Sequence, residues 1–190
     1  MNLTLRNLPN IITGLRLVAV PVFVLLMLEP TPTVSLIATA LFVIASLSDW
    51  LDGYLARRYK AESILGTMLD PLADKLLVMA ALVLLAAEIV EPRVPVWMVV
   101  VLLSRDMIVD GLRSVAAIKG LVVPASRWAK HKTAWTMLAI TFLLIRYPYP
   151  VFGHLVNFHE AGIMFLWIAL FHSVVTGVGY AIGLRKCFDD

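Results

Sequence analysis

The chain alternates long apolar runs with short polar or proline-rich breaks. The runs cover roughly residues 11–29, 33–57, 67–90, 94–118, 129–147 and 160–184. Each is close to or above the about 20 residues a helix needs to cross a bilayer, so each predicts one helix. The breaks hold Pro30-Thr31-Pro32, Pro92-Arg93-Val94-Pro95 and Pro148-Tyr149-Pro150, which end helices and make short turns. Short turns join antiparallel neighbours. The pattern therefore predicts a single membrane-embedded domain over 1–190, an all-α integral membrane protein with six transmembrane helices. Ahead of the first run, Leu3, Leu5 and Leu8 stand among polar residues, which predicts a short N-terminal interfacial helix. No internal repeat, low-complexity tract or linker interrupts the chain.

Composition agrees. Of 190 residues, 61% are hydrophobic and 15% charged, with a mean hydropathy of +0.88. A soluble domain carries roughly 45–50% apolar and about 25% charged residues, so much of this apolar surface must face lipid. A disordered chain, a collagen-like fibre and a disulfide scaffold are excluded, the last because Cys187 is the only cysteine. Arg16 and Pro21 break the first run, which argues against a cleavable leader. The net charge of +3 matters less than its distribution. Arg6, Arg16, Arg57, Arg58, Lys60, Lys119, Arg127, Lys130, Lys132, Arg185 and Lys186 fall on one side of the six-helix layout. The positive-inside rule then puts both termini and the loops around 58–66 and 119–128 in the cytoplasm, with no nucleic-acid role for the basic residues.

Acids stand where a membrane disfavours them. The second run ends with Asp49 and Asp52, and the third begins with Asp70 and Asp74. Ionisable groups inside spanning helices are costly and face a cavity or a partner. A spacing of three and of four residues puts each pair on one helix face. Salt bridges to Arg57, Arg58 and Lys75 are one way to neutralise them. A four-carboxylate nest that would otherwise repel itself is more naturally neutralised by a divalent cation. An all-oxygen donor set favours Mg²⁺ or Mn²⁺ over zinc, and four carboxylates suffice for two ions per active site. Gly53, Ala56 and Gly66 keep the acid-bearing faces small, for close helix packing or for a bulky ligand, and Arg57 is placed to meet a phosphate. A second charged patch, Arg105, Asp106, Asp110 and Arg113, shares one face of the fourth helix at about 100° per residue. With Thr13, Lys130 and Lys132 it forms a candidate pocket for an acceptor phosphate, since Arg is the preferred fork for phosphate oxygens; an internal salt-bridge network tying helices together is the other reading.

The run Asp49-x-x-Asp52-Gly53-x-x-Ala56-Arg57, then eight residues, then Gly66-x-x-x-Asp70-x-x-x-Asp74 resembles the signature of the CDP-alcohol phosphatidyltransferases at every fixed position. Asn7-Leu8-Pro9-Asn10, Thr13, Arg16 and Lys130-x-Lys132-Thr133 are similar to the members that use glycerol 3-phosphate. Asp106, where Glu is expected, and Ala129, where Gly is expected, depart from that pattern. The resemblance implies a two-metal site facing the cytoplasm from the bacterial inner membrane. It implies Asp49, Asp52, Asp70 and Asp74 as metal ligands, Asp74 also as the catalytic base, and CDP against Asp49, Gly53, Ala56, Arg57 and Gly66. It further implies CDP-diacylglycerol as donor, sn-glycerol 3-phosphate as acceptor, CMP as leaving group, and a homodimer. The same chemistry with inositol phosphate or serine as acceptor is the nearest alternative. A cation transporter is disfavoured, because the acids cluster towards one end of the helices and no repeat is visible.

Overall fold

The computed structural model describes residues 3–59, 64–88, 93–118, 127–151 and 153–189, without the side chains of 3–13, 49–59, 64–71, 74, 127–130, 151 and 183–189. Among them are six helices: α1 (Leu3–Leu28), α2 (Pro32–Tyr59), α3 (Ile64–Ala86), α4 (Val96–Ile118), α5 (Arg127–Leu144) and α6 (His159–Asp189). Each coincides with one apolar run to within a few residues, except that α1 begins earlier. The segment ahead of the first run is not a separate interfacial helix but the continuous start of α1 from Leu3.

The starts of the helices follow their sequence. Thr31 caps α2, its Oγ1 accepting from the Val34 amide at 3.3 Å and its carbonyl from the Ser35 amide at 2.8 Å. Pro32 in the first turn has no amide to leave unsatisfied. Glu160 stands in the first turn of α6, where a negative charge favours the helix dipole.

The all-α expectation needs one correction. Between α5 and α6, strands β1 (Tyr149–Val151) and β2 (His154–Val156) pair antiparallel as a hairpin. Gly153, at φ 83°, supplies the left-handed residue of its turn. Tyr147 and Tyr149 donate their hydroxyls to the Pro30 and Pro32 carbonyls at 2.7 and 2.8 Å. The prolines at 148 and 150 stop the helix, and the extended chain then ties back to the α1–α2 turn.

The chain divides into two units. The first comprises residues 1–85 and 144–158, the second 86–143 and 159–190. In the first, α1 packs on α2. Arg16, Phe23 and Met27 of α1 are buried, as are Ser35, Ala38, Thr39, Phe42 and Ala45 of α2. The small residues on α2 let the helices approach closely, and Phe23 meets Phe42 with ring centres 6.2 Å apart. In the second, α4 packs on α6, and Gly162 of α6 lies so near α5 that a Cβ there would be 2.7 Å from Leu143 Cγ.

The outward faces are apolar. Leu25 and Ile44 in the first unit, and Met107, Ile118 and Phe171 in the second, are all more than 60% exposed. Residues His159–Ile182 form a helix long and apolar enough to cross a membrane, with mean hydropathy 1.9. Gly14–Leu28, Pro32–Ser48 and Lys75–Ala86 are shorter apolar helical stretches.

Candidate active site

In the first unit the named signature positions lie on two helices. Asp49, Asp52, Gly53, Ala56 and Arg57 belong to the final turns of α2, and Gly66, Asp70 and Asp74 to the early turns of α3. Helical backbone through both stretches puts Asp49 with Asp52, and Asp70 with Asp74, on one face of their helices. Pro71 inside α3 has no N–H to donate to the Thr67 carbonyl. The side chains of these signature residues, and of Thr13 and Lys130, lie outside the described residues. Among the described residues no three His, Cys, Asp or Glu side chains gather as metal ligands. The donor set of the signature itself, four carboxylates without sulfur or imidazole, fits a hard divalent cation.

The structure gives a place to a residue to which the sequence assigned no role in the site. Arg16 is 2% exposed, and its Nη2 lies 3.5 Å from Ser48 Oγ. Ser48 directly precedes Asp49 and donates to the Ala45 carbonyl at 2.7 Å. A guanidinium taken this far from water needs compensation, and α1 contributes this buried cation at Ser48, the residue that precedes the first signature acid in the chain. A lone arginine within an apolar run was the available signal.

In the second unit the charges fall on the inward stripes of their helices. Met98, Leu102, Val109 and Ala116 of α4 are buried, and Arg105, Asp106 and Arg113 take the intervening positions on that face. On α6 the corresponding stripe is Leu166, Ala169, Ser173, Thr176 and Tyr180, and on α5 it is Lys132, Thr136, Ala139 and Leu143. The helical period that builds the apolar core thus also points these charges inwards.

Their contacts are specific. Arg105 donates through Nε to the Ser173 carbonyl at 3.0 Å, through Nη2 to Thr176 Oγ1 at 2.5 Å, and through Nη1 to Asp106 Oδ1 at 2.9 Å. The other carboxylate oxygen of Asp106 accepts from Lys132 Nζ at 2.5 Å. Lys132 is 7% exposed, so an ammonium on α5 is held by a carboxylate on α4. Arg113 donates from Nη2 to the Tyr180 hydroxyl at 2.5 Å, and its Cζ lies 4.9 Å from the Tyr180 ring centre. Its Nε is buried without a partner among the described residues. Of the five residues expected to hold an acceptor phosphate, Arg105, Arg113 and Lys132 therefore lie on inward helix faces of this unit. Asp106 links Arg105 to Lys132, whereas Asp110 is joined through its backbone carbonyl to Ser114 Oγ at 2.9 Å.

Comparison with known proteins agrees with the signature. The sequence profile of CDP-alcohol phosphatidyltransferase matches residues 6–175. A CDP-diacylglycerol–glycerol-3-phosphate 3-phosphatidyltransferase of Bacillus subtilis is 41% identical, covering 92% of this chain and 93% of its own length. Proteins of the same name from Rickettsia bellii and Pseudomonas fluorescens are 35% and 39% identical, over 96% and 86% of this chain and 98% and 87% of their own. With the profile spanning most of its length, the chain belongs to the CDP-alcohol phosphatidyltransferase family.

Proposed function

We propose that the chain is a membrane enzyme that transfers the phosphatidyl group of CDP-diacylglycerol to sn-glycerol 3-phosphate, releasing CMP, in phospholipid biosynthesis. The reaction rests on relatives of that name aligned along nearly the whole chain. The observation that carries the acceptor half is the surplus of positive charge in the second unit. Arg105, Arg113 and Lys132 face inwards; Asp106 is shared by Arg105 and Lys132, and Arg113 is held by the Tyr180 hydroxyl. An apolar interior holding that surplus is built for an anion.

Asp49, Asp52, Asp70 and Asp74 would hold divalent cations, Mg²⁺ or Mn²⁺, probed as two per site, and these when bound neutralise charge on the phosphate oxygens. The chain's own residues do the rest. Gly53, Ala56 and Gly66 present almost no side chain, which lets the cytidine approach the helix backbone, and Arg57 takes a pyrophosphate oxygen. Asp74 accepts the proton of the glycerol 1-hydroxyl as that oxygen attacks the β-phosphorus and the bond to CMP breaks. Arg113, Lys130 and Lys132 receive the acceptor's phosphate, and Arg105, whose Nε, Nη1 and Nη2 are engaged by protein, stands behind them. Thr13 on α1 keeps its assignment to that phosphate from the sequence pattern alone. Six spans, cytoplasmic termini, an inner-membrane location and a homodimer complete the proposal. The basic residues at the chain ends and in two loops, and the exposed apolar faces of the helices, support the topology.

One assay tests the reading. The purified chain is given CDP-diacylglycerol with Mg²⁺ or Mn²⁺ and offered glycerol 3-phosphate, inositol phosphate or serine in turn. CMP release with glycerol 3-phosphate alone is the expected result. Release only with another acceptor would replace the substrate assignment.

A further inference from the structure

Asp106 stands in an unusual place for a site that must attract an anion. It puts a negative charge between two of the cations assigned to the acceptor phosphate. Its two oxygens are divided, Oδ1 to Arg105 and Oδ2 to Lys132. The three side chains together keep one net positive charge, so the carboxylate does not cancel the attraction for phosphate.

What it changes is freedom. Lysine is a point charge on a flexible four-carbon stem, with three N–H groups and no preferred plane. A single N–H held by a carboxylate at 2.5 Å fixes the ammonium and leaves its other two N–H groups for oxygens. Asp106 is itself fixed by Arg105, and Arg105 is fixed by α6. Its Nε and Nη2 are engaged by the Ser173 carbonyl and the Thr176 hydroxyl. The surface of α6 is shaped for this. A Cβ on Gly177 would lie 3.1 Å from Arg105 Cγ and 3.4 Å from its Nε, so the arginine lies close against α6 and a side chain there would press on it.

We infer that Arg105 and Asp106 are positioning residues, seated on α6 at Ser173, Thr176 and Gly177, that hold the Lys132 ammonium where it meets the phosphate of the acceptor. The inference rests on the reading of Lys132 as a phosphate contact and divides the work within that cationic set. Lys132 contacts substrate, whereas Arg105 spends its guanidinium on protein. A purely structural brace would stabilise the unit without favouring one substrate over the other. A positioning pair acts on the acceptor alone.

The test compares steady-state constants of the purified full chain for both substrates, with Mg²⁺, in wild type, Asp106→Asn, Asp106→Glu, Gly177→Ala and Lys132→Met. Asp106→Asn should raise KM for glycerol 3-phosphate about tenfold, the value of one charged hydrogen bond. It should leave kcat and KM for CDP-diacylglycerol within about twofold. Asp106→Glu, which restores the carboxylate, should recover most of the loss. Gly177→Ala, which crowds Arg105, should shift the same constant in the same direction by about two- to threefold. An Asp106→Asn that raises both KM values alike, or a Glu variant as impaired as the Asn variant, overturns the proposal in favour of a structural brace. An unchanged Asp106→Asn beside an impaired Lys132→Met overturns the positioning role alone. An unchanged Lys132→Met removes Lys132 from the acceptor site and the inference with it. If Asp106→Asn does not fold, Gly177→Ala decides, an unchanged KM for glycerol 3-phosphate overturning the proposal.

Discussion

The two units set out their charges in opposite ways. In the first, the signature acids are close together in sequence, on the end of α2 and the start of α3. In the second, Asp106 is partnered by a lysine 26 positions away, and Arg105 by a threonine 71 positions away. The first arrangement depends on helical spacing within a short stretch of chain. The second exists only once α4, α5 and α6 are packed. The difference is chemical as well as topological. Carboxylates that gather on neighbouring helices repel and call for a cation from outside. The cations of the second unit are seated on protein acceptors, leaving a net positive charge for an anion.

The largest expected effect belongs to the first unit. Asp74→Asn should lower the rate of CMP release by about a hundredfold to ten-thousandfold, as expected for loss of a general base. Mn²⁺ bound by the remaining acids, followed by paramagnetic resonance, should persist. Unchanged turnover would remove Asp74 as the base and leave the acid cluster a structural feature.

A smaller effect is expected in the second unit. Arg113→Met should raise KM for glycerol 3-phosphate about tenfold, with KM for CDP-diacylglycerol little moved. Tyr180→Phe removes the hydroxyl that accepts from Arg113 but no phosphate donor, so its KM for glycerol 3-phosphate should stay within about threefold. Equal losses in the two variants would make the Arg113–Tyr180 pair a helix tie rather than part of a binding site.

The smallest effect touches neither set of charges. Gly162→Ala places a Cβ against Leu143, an overpacking that costs about 1–3 kcal/mol. Thermal unfolding in detergent should show a lower midpoint, while KM for both substrates in the folded fraction stays at wild-type values. A change in KM would couple the α5–α6 crossing to the acceptor site.

Much of this was legible before any coordinates. The apolar runs located all six helices of the described chain, because a helix long enough to approach bilayer thickness leaves a long apolar record. The acid signature was legible for a related reason, since spacings of three and four residues have one meaning on a helix. The hairpin at Tyr149–Val156 was not. Strands of three residues leave almost no periodic trace, and what orders them is two tyrosine hydroxyls reaching the α1–α2 turn. Nor was the burial of Arg16 legible, because a single arginine within an apolar run reads equally well as a topology signal and as an interior charge.

The sequence by itself determined the helices, the faces on which the charges stand, and the identity of the acid set, all of which depend on neighbours a few residues away. The tertiary structure alone decided which charge meets which. Asp106 falls between Arg105 and Lys132, and Arg105 lies on Ser173 and Thr176, because packing distant helices brings together groups that no local spacing relates. An ion pair needs its atoms within a few ångströms, and over such sequence separations only the fold sets that distance.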